Sequence, residues 1–113
     1  MLRQFNYYRT MVANEKLPHP DREDIELTSV LFALSDEARL ALVQQLRSGP
    51  MDMADCSALG PGVPKSTRSH QVKVLREAGV IISELHGRNR RLTLRREDID
   101  ARFPGLLESV LQG

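Results

Sequence analysis

The chain has 113 residues, of which 41% are hydrophobic and 27% are charged, and its formal net charge is +1. These values predict one globular domain with a modest core, and they exclude an intrinsically disordered chain. No apolar run approaches the ~20 residues that span a bilayer, and the N-terminus lacks the apolar stretch of a secretion signal. A lone cysteine, Cys56, cannot form a disulfide within the chain. We therefore expect a cytoplasmic protein with no membrane partner.

The first twenty residues are predicted to form an N-terminal arm or a short extra helix. The sequence "PHP" at positions 18–20 would break any helix there, because proline lacks the backbone N–H that a helix interior needs. Residues 21–113 are predicted to form the folded domain.

Two helices are predicted to open this domain. The stretch "DREDIELTSVLFAL" begins with acidic residues, so Asp21 or Asp24 is expected to cap the first helix. The stretch "DEARLALVQQLR" predicts a second helix that starts at Ser35 or Asp36 and ends before Gly49-Pro50. The apolar residues expected to face inward are Ile25, Val30, Leu34, Leu40, Val43 and Leu46.

Two further helices are predicted around a tight turn. "MDMADCSALG" favours a short third helix, capped by Asp52 and stopped by Gly60. After the turn "PGV", Pro64 suits the first position of a fourth helix that runs to about Ala78 and closes at Gly79.

The fourth predicted helix has two chemically different sides. At ~100° per residue, Val72, Leu75 and Gly79 share one side, which is expected to face the core. The other side carries the polar residues Ser66, Ser69, His70 and Lys73. Side chains of these types can bond base edges or phosphates, although a plain solvated helix surface would look similar.

A basic β-hairpin is predicted directly after this helix. "VIISELHGRNRRLTLRR" reads as two strands around a turn at residues 86–89. The final stretch, "EDIDARFPGLLESVLQ", predicts a last helix that Pro104 kinks or restarts. The resulting fold is mainly α with a small β-hairpin wing, a winged helix-turn-helix of order α-α-α-α-β-β-α.

Positive charge is concentrated in the fourth helix and the hairpin. Residues 61–96 contain nine basic and two acidic residues, a net charge of +7. Such a segment is typical of a surface that binds a polyanion, with a solvated charged face as the alternative. The predicted partner is double-stranded DNA, with the fourth helix in the major groove. The predicted contacts from the helix are Lys65, Ser66, Thr67, Arg68, Ser69, His70 and Lys73. Those from the wing are Arg88, Asn89, Arg90 and Arg91.

These stretches resemble a known family. "LSDEARLALVQQL", followed by "STRSHQVKVLREAGVI" and the hairpin "GRNRRL", is similar to the ArsR/SmtB family of bacterial winged-helix repressors. The resemblance covers about residues 25–112, and "LSDEARL" is close to the family's L-x-D-P-x-R-L. It implies a sequence-specific transcriptional repressor that binds an inverted-repeat operator as a homodimer and is released by an effector.

The resemblance also implies that the first and last helices form the dimer. The apolar ends of "VLFAL" and "LLESVL" agree with this, although ordinary core packing would explain them too. The predicted interface residues are Leu27, Leu31, Leu106, Leu107, Val110 and Leu111.

The chain departs from the family pattern at three places. Glu37 stands where the family usually has proline, and the turn "GPGVP" is two residues longer than usual. Arg68 occupies a position that is normally apolar. Either Arg68 reaches past the core edge to a phosphate, or the helix is rotated from the phase given above.

The metal sensors of this family carry a Cys-x-Cys pair in the third helix or Asp and His ligands on the last helix. Here the third helix has only Cys56, and the last helix has no histidine. His19, His70 and His86 are scattered along the chain. No metal or cofactor is therefore predicted, and the effector is expected to be an unknown small molecule. A metal held by Cys56 with Asp52 or Asp55, or a thiol switch at Cys56, stays open beside a simple buried cysteine.

No enzyme is predicted. The chain has no glycine-rich phosphate loop and no pairing of His and a carboxylate with a Cys or Ser nucleophile. The alternative function is a winged-helix protein-interaction module that does not bind DNA specifically.

Overall fold

The structure is a computed structural model that describes residues 17–60 and 62–111. In these residues the α-helices are α1 (Leu27–Leu34), α2 (Glu37–Leu46), α3 (Lys65–Ala78), α4 (Arg96–Arg102) and α5 (Leu106–Leu111). The strands are β1 (Met51–Asp52), β2 (Ile81–His86) and β3 (Asn89–Leu94). Short 3₁₀ helices cover Arg22–Asp24, Met53–Asp55 and Ser57–Leu59. The predicted winged helix-turn-helix fold is confirmed, and residues 1–16 of the predicted arm lie outside the described residues.

Helix α1 begins later than predicted. Its N-cap position is Glu26, so the prediction that Asp21 or Asp24 caps it is wrong. The backbone at Ile25 is extended, with φ −74° and ψ 124°, and the Ile25 side chain is only 1% exposed. The helix starts after Ile25 because the extended backbone turns this side chain into the core.

Helix α2 begins as predicted. The Asp36 carboxylate accepts a hydrogen bond from the backbone N–H of Arg39 at 3.1 Å, which satisfies one of the donors that a helix start leaves unpaired. Val43 and Leu46 are buried as expected, and Leu40 is partly buried against the core.

Residues 51–60 do not form the predicted third α-helix, and Asp52 does not cap one. Met51 pairs with Leu92 and Asp52 with Arg91, so the chain starts as a strand, and the two short 3₁₀ helices follow. A helix this short has little stability of its own, and the backbone pairing with β3 decides the local conformation instead.

Helix α3 ends at Gly79 as predicted. The backbone of Gly79 has φ +89°, and its N–H bonds the carbonyl of Arg76 at 3.1 Å. A Cβ at this position would also lie 2.6 Å from Cγ1 of Ile25. Glycine is therefore required both by the left-handed backbone and by the close approach of the segment before α1.

The wing is a β-hairpin to which β1 adds a third strand. The order is β1-β3-β2, and both pairs are antiparallel. The hairpin register runs from Ile81 opposite Leu94 to His86 opposite Asn89. Gly87, with φ +64°, and Arg88 connect the two strands. The inner face of the sheet reaches the core through Ile81 and Leu92, and both side chains are buried.

The last helical segment is interrupted at Pro104, as predicted. Helices α4 and α5 are separated by residues 103–105, and Gly105 has φ +84°. Leu107 and Leu111 of α5 join the core formed by α1, α2, α3 and the sheet. None of the helices in the described ranges is long and apolar enough to cross a membrane.

Candidate nucleic-acid interface

Helix α3 presents its polar side to solvent. Val72, Leu75 and Ala78 are buried, which confirms the predicted phase of the helix. The exposed residues are Lys65, Ser66, Thr67, Ser69, His70 and Lys73. The N-cap position is Pro64, which makes no side-chain cap. The first-turn N–H groups and the positive end of the helix dipole are therefore available to an anion.

Arg68 lies at the edge of this polar side. It is partly buried, and its Nε atom has no hydrogen-bond partner among the described residues. Since the core residues keep the predicted phase, the helix is not rotated. Arg68 therefore lies at the margin of the core, where its Nε atom is itself buried.

The four basic and polar residues at the wing tip differ in their surroundings. Arg88 and Asn89 are exposed at the end of the hairpin. Arg91 lies on the edge shared with β1, where its Nε is 3.9 Å from a carboxylate oxygen of Asp52. Arg88 makes no ion pair with any described residue. It is thus the wing arginine best placed to bind an external phosphate.

Arg90 turns back onto the wing itself. Its Nε donates to the Ser83 hydroxyl at 3.1 Å, and a terminal nitrogen donates to the Ser83 carbonyl at 2.9 Å. Ser83 is buried. The structure therefore gives Arg90 a role inside the wing that the charge pattern alone did not reveal.

The segment before the first helix docks on the same serine. His19 Nε2 accepts a hydrogen bond from the backbone N–H of Ser83 at 3.0 Å. Arg76 donates to the Pro18 carbonyl at 3.2 Å, and Arg95 donates to the Pro20 carbonyl at 2.8 Å. Residues 17–20 are thereby tied to α3 and to the outer edge of β2.

The charge state of His19 fits this contact. Burial, together with the positive charges of Arg76 and Arg95, lowers the pKa of His19 from its ordinary value of 6.5 to about 4. The imidazole is neutral at pH 7, so its Nε2 can accept a hydrogen bond from the Ser83 N–H. Sequence reasoning treated His19 as an isolated histidine, because nothing in the local pattern places it beside a strand 64 residues away.

A cleft separates parts of the docked segment from the wing. It has a volume of about 490 Å³ and lies between residues 17–21 and strand β2, with Arg95 at one side. Leu17, Ile82 and Leu85 supply apolar surface, and His19 and Glu84 supply polar groups.

Comparison with known proteins identifies the family. Residues 36–83 match the family described as "Bacterial regulatory protein, arsR family". The chain is 32% identical over 92 residues to the uncharacterized HTH-type transcriptional regulator YceK of Bacillus subtilis, which spans 79% of this chain and 91% of the relative. This chain belongs to the ArsR family. It is a transcriptional regulator, as the resemblance predicted.

Two further similarities agree with membership of the ArsR family. The HTH-type transcriptional regulator NmtR of Mycobacterium tuberculosis is 38% identical over 64 residues, which cover 57% of this chain and 52% of that protein. The solved structure of the transcriptional repressor BigR from Xylella fastidiosa superposes with a TM-score of 0.59 and 26% identity. That match covers 82% of this chain and 95% of the other.

The predicted dimer residues of this ArsR-family chain fall into two groups. Leu27 and Leu31 of α1 are 43% and 45% exposed, and Leu106 and Val110 of α5 are partly buried. Leu107 and Leu111 lie in the chain's own core, because α5 packs that face inward. These two leucines therefore do not form part of an exposed surface. Phe32 of α1 is exposed as well.

The lone thiol of this ArsR-family chain is enclosed. Cys56 is 3% exposed, and its Sγ lies 3.5 Å from the Asp52 carbonyl, to which it donates. Burial raises the pKa of the Cys56 thiol, and the carboxylates of Asp55 and Asp52 raise it further. In residues 17–60 and 62–111, no group of three or more His, Cys, Asp or Glu side chains could hold a metal ion.

Proposed function

We propose that this ArsR-family regulator binds double-stranded DNA sequence-specifically, with α3 as the recognition helix and the β2–β3 hairpin as the wing. The observation that carries the proposal is the open polar side of α3. Ser66, Ser69, His70 and Lys73 are exposed, while the opposite side of the same helix is buried. Serine and histidine can exchange hydrogen bonds with base edges, and lysine can bond a phosphate or guanine.

The distribution of charge supports the same function. Lys65, Lys73 and Arg88 are exposed cations of the +7 segment, and phosphate contacts supply most of the non-specific affinity for DNA. Arg68 and Arg91 are proposed to add phosphate contacts at the flanks. Arg90 is proposed to act indirectly, since its guanidinium is bonded to Ser83.

We further propose that the regulator acts as a homodimer on an inverted repeat and represses transcription. The exposed leucines of α1 support a dimer, because an apolar helix face is stabilised when a partner covers it. Leu106 and Val110 would extend this surface. A two-fold dimer requires two half-sites related by symmetry, separated by about one helical turn of DNA, 10–10.5 base pairs, or a multiple of it.

Release by a small-molecule effector belongs to the same proposal. The cleft beside β2 has about 490 Å³, within the ~300–1,000 Å³ of small-molecule sites. A molecule bound there would act on the His19–Ser83 contact that ties the first residues to the wing. Replacing Ile82 by Trp should fill the cleft and abolish the response to the natural signal while operator binding persists. An unchanged response would exclude the cleft as the effector site.

The test of the function is selection of bound duplexes from a random pool. We expect a two-fold symmetric consensus that the protein prefers to scrambled duplex by about 10³-fold or more. Equal affinity for the selected and scrambled duplexes would overturn the proposal. It would favour the alternative, a winged-helix module whose basic face binds an acidic protein.

A further inference from the structure

Gln71 lies on the recognition helix between the proposed base contacts, but its side chain is turned to the protein. Its amide carbonyl accepts a hydrogen bond from a terminal nitrogen of Arg39 at 2.7 Å. Its amide nitrogen donates to the Asp36 carboxylate at 3.2 Å. Both ends of one side chain are therefore held by the start of α2.

The two partners of Gln71 are themselves fixed. Arg39 is 7% exposed, and it also donates to the carbonyls of Ala33 at 2.7 Å and Phe32 at 3.2 Å, in the last turn of α1. Asp36 caps α2, and the hydrogen bond from the Arg39 N–H lowers the pKa of its carboxyl group. Asp36 is thus an ionised acceptor at neutral pH, and Arg39 joins the ends of two helices to a third.

Such a contact restrains the rotation of α3 about its own axis. A rotation of about 20° would move a side-chain tip by about 2 Å, at the ~5–6 Å radius that helix side chains reach. That displacement would break the hydrogen bonds of Gln71. The apolar contacts of Val72 and Leu75 are less directional and would tolerate it better. Ser69 and His70, on the same rigid helix, would turn with it.

We propose that Gln71 is a positioning residue, which sets the rotation of the recognition helix through Arg39 and Asp36 and thereby determines which bases Ser69 and His70 face. Gln71 does not itself contact DNA. This inference rests on the proposed function, because it concerns how accurately the helix reads a sequence.

The test compares two variants with the parent on the selected duplex and a scrambled duplex. Gln71→Met keeps the size of the side chain and removes both hydrogen bonds. Gln44→Met is the matched control, because Gln44 is a similarly buried glutamine on α2 whose amide bonds the Leu111 carbonyl at 2.8 Å, away from α3.

Gln71→Met should lower the preference for the selected duplex by about tenfold. The salt dependence of binding should stay unchanged, since the phosphate contacts remain. Gln44→Met should keep the preference. The inference is wrong if Gln71→Met discriminates like the parent or if Gln44→Met loses as much. If the parent itself prefers no duplex, the proposed function fails and this inference fails with it.

Discussion

Arg90 and Ser83 are bonded twice, from Nε to the hydroxyl at 3.1 Å and from a terminal nitrogen to the carbonyl at 2.9 Å. The carbonyl belongs to β2, the outer strand of the described sheet. The Ser83 N–H bonds His19 and not β3, so this residue turns its backbone groups to the open edge of the sheet, where Arg90 bonds the carbonyl. Arg88, two positions earlier, is exposed at the tip of the hairpin. Arg88 and Arg90 are therefore a natural pair for comparison.

Replacing Arg88 by Ala should weaken binding to every duplex equally. Because one phosphate contact is lost, the slope of log K against log salt should fall in magnitude by about 0.9. Replacing Arg90 by Ala should instead lower the free energy of unfolding by about 1 kcal/mol, as the Ser83 bonds are lost. Salt titrations and urea denaturation measure the two effects. An unchanged slope for Arg88→Ala would remove Arg88 from the contacts.

Replacing His70 or Ser69 by Ala should relax sequence preference, by about 1–3 kcal/mol for a true base contact. The expected change is confined to particular base positions, as measured by competition with single-substituted duplexes. Glu77→Ala, at the exposed far end of the same helix, serves as the control and should leave preference intact. A uniform loss across all duplexes would make these residues phosphate contacts.

Stability should fall as the pH drops from about 6.5 to about 4, because of His19. In this window His19 is protonated in the unfolded chain but stays largely neutral in the folded chain, so protonation favours unfolding. His19→Gln can still accept the Ser83 N–H and should reduce this pH dependence in urea denaturation. If the free energy of unfolding of His19→Gln depends on pH as that of the parent does, the His19–Ser83 contact is contradicted.

The Cys56 thiol should react slowly with alkylating reagents in the folded protein, at least about tenfold slower than in concentrated urea. Both its burial and its raised pKa reduce the amount of accessible thiolate. Cys56→Ala should retain release from the operator by the natural signal. Rapid alkylation of the folded protein, or a variant that no longer responds, would instead support a thiol or metal sensor.

Leu31→Glu should dissociate the proposed dimer, because it places a charge on the exposed face of α1. Sedimentation velocity would measure the change, with Leu27→Glu as a second variant on the same face. Leu107→Ala should act differently, because this leucine is fully buried in its own chain. It should lower the free energy of unfolding by about 2–5 kcal/mol. If both charged variants remain dimeric, this face of α1 is not part of the dimer interface.

Hydrophobic spacing and turn residues by themselves determined most of the architecture. The phase of α3, its end at Gly79, the hairpin turn and the break at Pro104 follow from neighbours in the chain, whose preferences are local. The same locality explains why the polar side of α3 could be named residue by residue, and why the family could be identified from three short stretches.

Only the tertiary structure decided the remaining features, because they depend on residues far apart in the chain. Strand β1 forms because Met51 pairs with Leu92 of β3. Helix α1 starts later than predicted because the Ile25 side chain is packed in the core beside Gly79. His19 and Gln71 form hydrogen bonds with residues that lie 64 and 35 positions away in the chain. Hydrogen bonds and burial of this kind leave no periodic trace in a sequence, since their partners meet only when the chain folds.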